Sequence, residues 1–414
     1  MKTEIYSIAF IERTNMVRFL VGNGGFSTND KEKAMIYFDN SATTKPYKEV
    51  LDSFTKVSTS FFGNPSSLHS FGAQSEKLIS QAREQMAKLM KVQSNEIYFT
   101  SGGTESNNLA IKGSALMYRN RGKHIIISEI EHPSIKEAAL QLKELGFKVT
   151  SIPVDQNGHV NVKDIQKKIT DETILVSIMH VNNEVGSIQP IKEIGDFLKD
   201  YPKILFHVDH VQGIGKVPLD FHNCHIDLCS ISAHKFHGLK GVGALYIRNG
   251  VKISPLLSGG GQENRLRSGT ENTAGIISMA KALRITLQQQ ESHQKLMIRI
   301  KDFLRSQLEK IEGVVIHTPI FRSAPHILNF SIEGFKAEVF VHALEEKNIY
   351  VSTTSACSSK KAKASSTLMA MGVKEETALS AIRVSLAYEN TIEEADKFIE
   401  AVNQAVTGLR KVMN

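Results

Sequence analysis

Short polar stretches that follow apolar runs hold the residues with chemistry to offer. The strongest is SISAHKFHG, where Ser232, His234 and Lys235 come directly after a strand-like run. A serine hydroxyl and an imidazole can donate to phosphate, and a lysine amine can condense with an aldehyde cofactor until an amino substrate displaces it. The plain alternative is a solvated loop lysine beside a core histidine, since lysine seldom buries. The polar cluster ends an apolar strand, and the GLKGVG that follows suits a tight turn at a pocket mouth, which favours the first reading. In TSGGTES, Gly102, Gly103 and Thr104 lie between a strand and a helix. They suit an anion cradle at the helix N-terminus, or else a plain turn capped by Thr104. A P-loop is excluded because its Lys-Ser/Thr ending is missing, and the dinucleotide GxGxxG is absent too.

Asp209 ends the run KILFHV. There it can cap the next helix, chelate magnesium or pair with a cationic ring nitrogen; magnesium needs further oxygen ligands, and the sequence offers no obvious cluster. Gln212, three residues on, faces the same pocket if a helical turn begins there. His132 in EIEHPS either caps the next helix or stacks on a planar cofactor and shuttles protons near neutrality. Asn183 and Arg383 are candidate anchors for a substrate carboxylate, arginine because its planar fork binds one bidentately. Taken singly, each is an ordinary polar strand-end or surface residue.

Cys357 sits in STTSACSSKKAKASSTL, among small polar residues and ahead of three lysines. That is poor company for a thiol acting as a buried hydrophobe, so it is either a tolerated loop cysteine or a reactive one. Only Cys224 and Cys229 accompany it, an odd and sparse set that argues against a disulfide framework and for a reducing, cytoplasmic setting. His222, Cys224 and His225 crowd together in FHNCHIDLCS, but the second pair expected of a zinc site is missing. They read better as a loop entering a buried strand, and no metal ligand is assigned.

The scaffold that must position these groups is legible in the alternation around them. Residues 69–92 carry apolar positions at helical spacing, then NEIYFTSGGTESNNLAIKGSALMY reads as strand, glycine turn and helix. HIIISEIEH, KVTSIPVD, TILVSIMHV, KILFHVDHVQ, IDLCSIS and GVGALYI read as strands, with helices in PSIKEAALQLKELG, VNVKDIQKKIT and PIKEIGDFLKD. Ile- and Val-rich strands alternating with amphipathic helices describe an α/β domain around a mostly parallel sheet. A long helix, AGIISMAKALRITLQQQESHQKLMIRIKDFLRSQL, crosses its boundary near residue 295. Beyond it, VVIHTP, HILNFSI, NIYVST and AIRVSL, with a final helix EEADKFIEAVNQAVTGLRKVM, read as a smaller α+β domain. The expected division is 50–295 for the large domain, 35–49 with 296–414 for the small one, and 1–34 as an appended or weakly ordered segment. The stretches TSGGTESNN, EIEHPS, HVDHVQ and SISAHKFHG all fall at strand ends, where open α/β sheets bind ligands.

At 414 residues, 41% hydrophobic and 22% charged, the chain is ordinary for a folded protein of two or three domains. A net charge of +7 is modest for that length and does not by itself indicate nucleic-acid binding. No apolar run approaches the 18 residues of a membrane span, and the N-terminus resembles neither a signal nor a transit peptide.

Taken together and in order, YFDNSATT, FGNPSSLH, TSGGTESNN, MHVNNEVG, HVDHVQGIGK, SAHKFHGLKGVGALY, GGGQENRLRSGTEN, TSACSS and AIRVSL resemble the cysteine desulfurases, pyridoxal-phosphate enzymes of the class V aminotransferase family. The resemblance covers residues 35–414 and implies the fold type I aminotransferase architecture. It implies pyridoxal 5'-phosphate on Lys235, with His132 stacked on its ring, Asp209 on its pyridine nitrogen and Gln212 on its phenolic oxygen. Gly103, Thr104, Ser232 and His234 would hold its phosphate, and Thr270 would reach the phosphate of a neighbouring subunit, which implies a homodimer. Asn183 and Arg383 would orient L-cysteine, and Cys357 would accept its sulfur on a longer mobile loop. Where many relatives have Leu-Glu-Pro-Ser after the cysteine, this chain has Ala362, Lys363, Ala364 and Ser365. That more basic loop points to a dedicated acceptor, a tRNA-thiolation or thiamine-pathway sulfurtransferase, in preference to the iron–sulfur scaffold. An aminotransferase or selenocysteine lyase on the same scaffold explains the cysteine in SACSS less directly, and a non-catalytic scaffold protein would have lost the lysine or the cysteine.

Overall fold

The computed structural model describes residues 35–353 and 364–413. Strand β1 (Ile36–Tyr37) leads through a strap to helix α1 (Lys48–Ser60) and α2 (Ser70–Met90). There follow β2 (Ile97–Thr100), α3 (Gly103–Tyr118), β3 (His124–Ser128), α4 (Pro133–Glu144), β4 (Lys148–Ile152) and α5 (Val162–Lys168). Next come β5 (Thr173–Met179), α6 (Ile191–Leu198), β6 (Leu205–Asp209), β7 (Leu228–Ser232) and β8 (Gly243–Ile247). Helix α7 (Thr273–Leu308) then leads to β9 (Val314–Ile316), β10 (Ile327–Ile332), α8 (Ala337–Glu345), β11 (Ile349–Tyr350) and β12 (Ser352–Thr353). The described chain ends with α9 (Ser366–Ala370), α10 (Glu375–Leu379), β13 (Ala381–Ser385) and α11 (Ile392–Met413).

The expected α/β architecture is present. The main sheet runs in the order β2-β8-β7-β6-β5-β3-β4, and only β8 lies antiparallel to its neighbours. Its apolar strands are continuous because both faces are covered. Ile126, Val176, Val208 and Ile231 pack with α2 and α7, while Ile125, Leu175, Leu205 and Leu228 pack with α3 and α4. The period of two along each strand therefore sends alternate residues into two different cores.

A smaller antiparallel sheet, β12-β13-β10-β9, builds a third core with α8 and α11, and β1 pairs in parallel with β11. Helix α7 belongs to both regions. Its first turns, with Ile276, Met279 and Leu283, pack against the main sheet, and its last, with Ile300, Leu304 and Leu308, against the small one. Its 36 residues span ~54 Å at 1.5 Å each.

Two elements differ from expectation. Helix α1 is not evident in the sequence, because KEVLDSFTKVSTS is rich in β-branched and hydroxyl residues and buries only Val50 and Val57. The single strand expected in NIYVST is two: Ile349–Tyr350 pairs with β1, and Ser352–Thr353 with β13. Among the described residues no helix is long and apolar enough to cross a membrane.

Because Leu304 is fully buried where α7 meets the small sheet, Leu304→Ala should cost about 2–5 kcal/mol of stability, read as a lower urea midpoint.

Candidate active site

The main sheet ends in polar side chains along one edge. Asp209 closes β6, Ser232 closes β7, and β2, β3 and β5 run into loops that carry Gly102, Glu131 and Asn183. These ends, the strap 38–47 and Arg383 of β13 enclose a cavity of about 240 Å³. Gly103, Thr104, His132, Asn183, Asp209, Gln212, Ser232, His234, Lys235 and Arg383 all line it. Residues spread over 280 positions of sequence thus meet in one place. Thr270 does not line it and is exposed on this chain's surface. Cys357 falls in 354–363, outside the described residues.

One end of the cavity is built for an anion. Gly102 takes φ +149°, open to glycine, and starts the 16-residue helix α3. A Cβ on Gly103 would stand 2.9 Å from Val211 Cγ2, so the helix end approaches the β6 loop only because that side chain is missing. The unpaired first-turn amides and the dipole of α3 favour negative charge there. His234 contacts Thr43 Oγ1 through Nδ1 at 3.2 Å, and burial lowers its pKa to about 4, with nearby lysines adding to the effect. It serves there as a neutral hydrogen-bonding group.

The middle is a buried chain of hydrogen bonds. Asp209, 5% exposed, accepts from Asn107 Nδ2 at 2.8 Å and from the Val211 amide at 2.9 Å. Asn107 also donates to Ser134 Oγ at 2.9 Å, and Ser134 Oγ lies 2.8 Å from His132 Nδ1. His132 caps α4 by accepting from the Ser134 amide at 3.2 Å. The cap is thus present, and the same residue lines the cavity. With Nδ1 an acceptor, the neutral ring carries its proton on Nε2. Burial keeps it below the ordinary histidine pKa, against the opposing pull of Asp209.

Lys235 reaches the strap, where its amine donates to the carbonyls of Ser41 and of Ala42, the latter at 2.9 Å. Gln212 Nε2 donates to the same Ser41 carbonyl at 3.0 Å. Behind it Lys216, fully buried, donates to the Lys235 carbonyl at 2.6 Å; burial and then the Lys235 charge bring its pKa down to about 7.

At the other end Arg383 donates to Asp39 Oδ1 at 2.9 Å and to the Asn183 carbonyl at 3.0 Å. Next to Asn183, Glu184 accepts from Ser365 and, at 3.0 Å, from Thr367. These two residues follow closely on 354–363, so the chain just beyond that stretch is fastened to Glu184, next to the residue whose carbonyl holds Arg383. Buried atoms without a hydrogen-bond partner among the described residues include Asn107 Oδ1, Ser41 Oγ and Arg383 Nε. An anion cradle, a buried carboxylate, an amine and a second cationic end suit a phosphorylated aromatic aldehyde bearing a ring nitrogen, together with an amino acid.

Asn107, Lys216, Asp39 and Glu131 were not singled out from sequence. Asn107 stands one turn after Thr104 in TSGGTESNN, which is the signal that it shares the cavity face; the others act through contacts that no local spacing encodes. Among the described residues no group of three or more His, Cys, Asp or Glu is placed to hold a metal ion.

Residues 36–398 match the aminotransferase class-V family. The chain is 49% identical to a NifS/IcsS protein homolog of Lactobacillus delbrueckii subsp. bulgaricus over 380 residues, 91% of this chain and 99% of the relative. It is 45% identical over 380 residues to a cysteine desulfurase IscS of Clostridium botulinum, covering 91% of this chain and 96% of the relative. Among solved structures, a NifS-like protein aligns with TM-score 0.86 at 39% identity, over 90% of this chain and all of that one.

Glu131 gives a pH test of this wall. Its Oε1 accepts from Ser128 Oγ at 2.5 Å and the Met179 amide at 2.9 Å, and burial, only partly offset by these bonds, raises its pKa to about 8. The folded chain thus keeps a proton that the unfolded chain releases near 4.5, and this group's contribution is full below that pH and lost as pH rises through about 8. Glu131→Gln should therefore show a smaller fall in denaturant midpoint between pH 5 and 8 than the wild type.

Proposed function

The chain belongs to the class-V aminotransferase family and, within it, to the cysteine desulfurases, and on that premise we propose that its cavity binds pyridoxal 5'-phosphate and L-cysteine end to end. The observation that carries the reading is the convergence of Lys235, Asp209 and the N-terminus of α3 on a cavity whose far end holds Arg383. The first turn of α3 with Gly103, Thr104, Ser232 and His234 takes the phosphate; Asp209 takes the ring nitrogen, Gln212 the phenolic oxygen and His132 the ring face. Bound there, the cofactor supplies an aldehyde that condenses with amines and a protonated ring that draws electrons from the attached substrate.

The protein's own residues do the rest. Asp209, buried and doubly hydrogen-bonded, favours a positive ring nitrogen opposite it. Lys235 would hold the cofactor's aldehyde carbon, and its amine when free would move protons at the substrate α-carbon. His132 holds a transferable proton on Nε2. Arg383 and Asn183 bind the cysteine carboxylate. The Cys357 thiolate attacks the substrate sulfur; the carbon–sulfur bond breaks with its electron pair left on carbon, which takes a proton to become alanine, and Cys357 keeps the sulfur as a persulfide. Thr270, exposed on this chain, contacts the phosphate of a second copy in a homodimer.

The onward acceptor is a sulfurtransferase for tRNA thiolation or thiamine synthesis in preference to an iron–sulfur scaffold, on the strength of Lys360, Lys361 and Lys363 beside the acceptor cysteine. Purified protein given cysteine should form alanine in step with sulfide. Lys235→Ala should lose the visible absorbance of the bound cofactor as well as turnover, whereas Cys357→Ala should keep the absorbance and lose alanine formation. Normal turnover by Cys357→Ala would sink the persulfide step. Sulfur-transfer assays that favour the iron–sulfur scaffold would sink the acceptor assignment.

A further inference from the structure

Four residues that line the cavity, Asp209, Asn107, Ser134 and His132, form one chain of hydrogen bonds whose direction is fixed. Asp209 Oδ2 lies 2.8 Å from Asn107 Nδ2, and a carboxylate oxygen accepts, so the amide presents its NH2 group there. The second proton of that group goes to Ser134 Oγ at 2.9 Å. Ser134 keeps one proton of its own, and its acceptor among the described residues is His132 Nδ1 at 2.8 Å. The backbone makes the same choice. Pro133 has no amide, so the first amide of α4 is that of Ser134, and it too donates to His132 Nδ1, at 3.2 Å.

Both donors on Nδ1 thus come from one residue. A ring nitrogen that accepts from a hydroxyl and an amide has no room for a proton, and hydrogen bonds to the neutral form of a group disfavour its charged form. Nε2 is left free: it has no partner among the described residues and is not enclosed by them. The charges facing His132 pull in opposite directions. Beyond the burial that acts first, Asp209 favours the imidazolium while Lys235 and Lys136 oppose it, and Glu131 beside it keeps its own proton. Asn107 and Ser134 are both buried, so the chain that arbitrates is shielded from water.

We propose that Ser134 is a positioning residue of the reaction, whose hydroxyl passes the donation that begins at Asn107 on to His132 Nδ1 and so locks the histidine as a neutral donor through Nε2. Its bearing on the reaction rests on the cavity holding pyridoxal phosphate and cysteine, as proposed above. Because Asn107 donates to Asp209 and to Ser134 with one NH2 group, the carboxylate and the imidazole are not oriented independently. The serine therefore keeps two groups on different elements, β6 and the N-terminus of α4, in one register.

The test follows His132 by NMR in holoenzyme labelled with [15N]histidine, its signals identified by their absence from His132→Gln. The wild type, Ser134→Ala and Ser134→Thr are titrated with acid, and KM and kcat for cysteine are measured on each. The visible absorbance of bound cofactor shows that each variant has folded and loaded. Wild-type His132 should carry its proton on Nε2 and titrate below the ordinary 6.5. Loss of the nearer donor in Ser134→Ala should raise that midpoint by about one pH unit and lower kcat with KM unchanged, and Ser134→Thr, which keeps the hydroxyl, should restore both. A serine with a structural role alone would leave the titration where it was. An unchanged midpoint in Ser134→Ala, the same shift in Ser134→Thr, or a wild-type ring protonated on Nδ1 overturns the lock, and an unchanged kcat beside a shifted midpoint overturns its part in the reaction. A wild-type protein that takes up no cofactor overturns the cavity reading instead, and the serine's part in the reaction with it.

Discussion

The active site depends on a strap of backbone whose carbonyls meet a half-buried cation. Lys235 is held by the Ser41 and Ala42 carbonyls, and an ammonium group partly withdrawn from water needs such acceptors. Those carbonyls are in place only because the strap is fastened on both sides. Toward the small sheet, the Phe38 amide donates to Tyr350, the Asn40 amide to Ser385, and the Ser385 amide returns to Phe38. Toward the main sheet, Thr44 bonds the His234 carbonyl through both its amide and its hydroxyl, and receives the His237 amide on that hydroxyl. A few residues at the start of the described chain therefore set the distance between the lysine on one sheet and the arginine on the other.

Charge around the cavity is kept sparse by burial. His180, His207 and His210 are enclosed, and burial lowers each below the range where it would be charged at neutral pH. Glu131, one residue from His132, is held uncharged by the same cause. Asp209 and Lys235 both line the cavity, with Lys216 behind the lysine and Arg383 compensated by Asp39 at the far end. In a region of low polarisability each of these few charges acts strongly on a ligand. Neutral histidines close behind the wall provide hydrogen bonds without adding charge beside Asp209.

The parts legible in the sequence are those governed by local pattern. The strands of the main sheet show as apolar runs, and Asp209, Ser232 and Lys235 show as polar residues stationed at their ends, because a sheet buried on both faces is mostly apolar along its length. Helix α1 was not legible, since a surface helix with two buried valines carries almost no periodic signal. Asp39 and Glu131 were hidden for a different reason. Asp39 matters through an arginine 344 positions away, and Glu131 through the amide of Met179 on a neighbouring strand. Their roles follow from which strands adjoin, which a single sequence does not state.

The position of Cys357 in the chain follows from the same wall. Upstream, Ser352 pairs across from Arg383 itself, and Thr353 from Ile382. Downstream, Ser365 and Thr367 are bound to Glu184, whose neighbour Asn183 gives Arg383 its carbonyl. Both described ends of the segment that contains the cysteine are therefore rooted beside the group proposed to grip the substrate carboxylate. Cys357 is four residues beyond Thr353, a reach of at most ~14 Å at full extension. A longer or more distant root would leave the thiol to search a larger volume, and the cost of bringing loop ends together grows with the length between them. Fastening the chain on both sides of 354–363 beside Arg383 limits how far the residues between can lie from that end of the cavity.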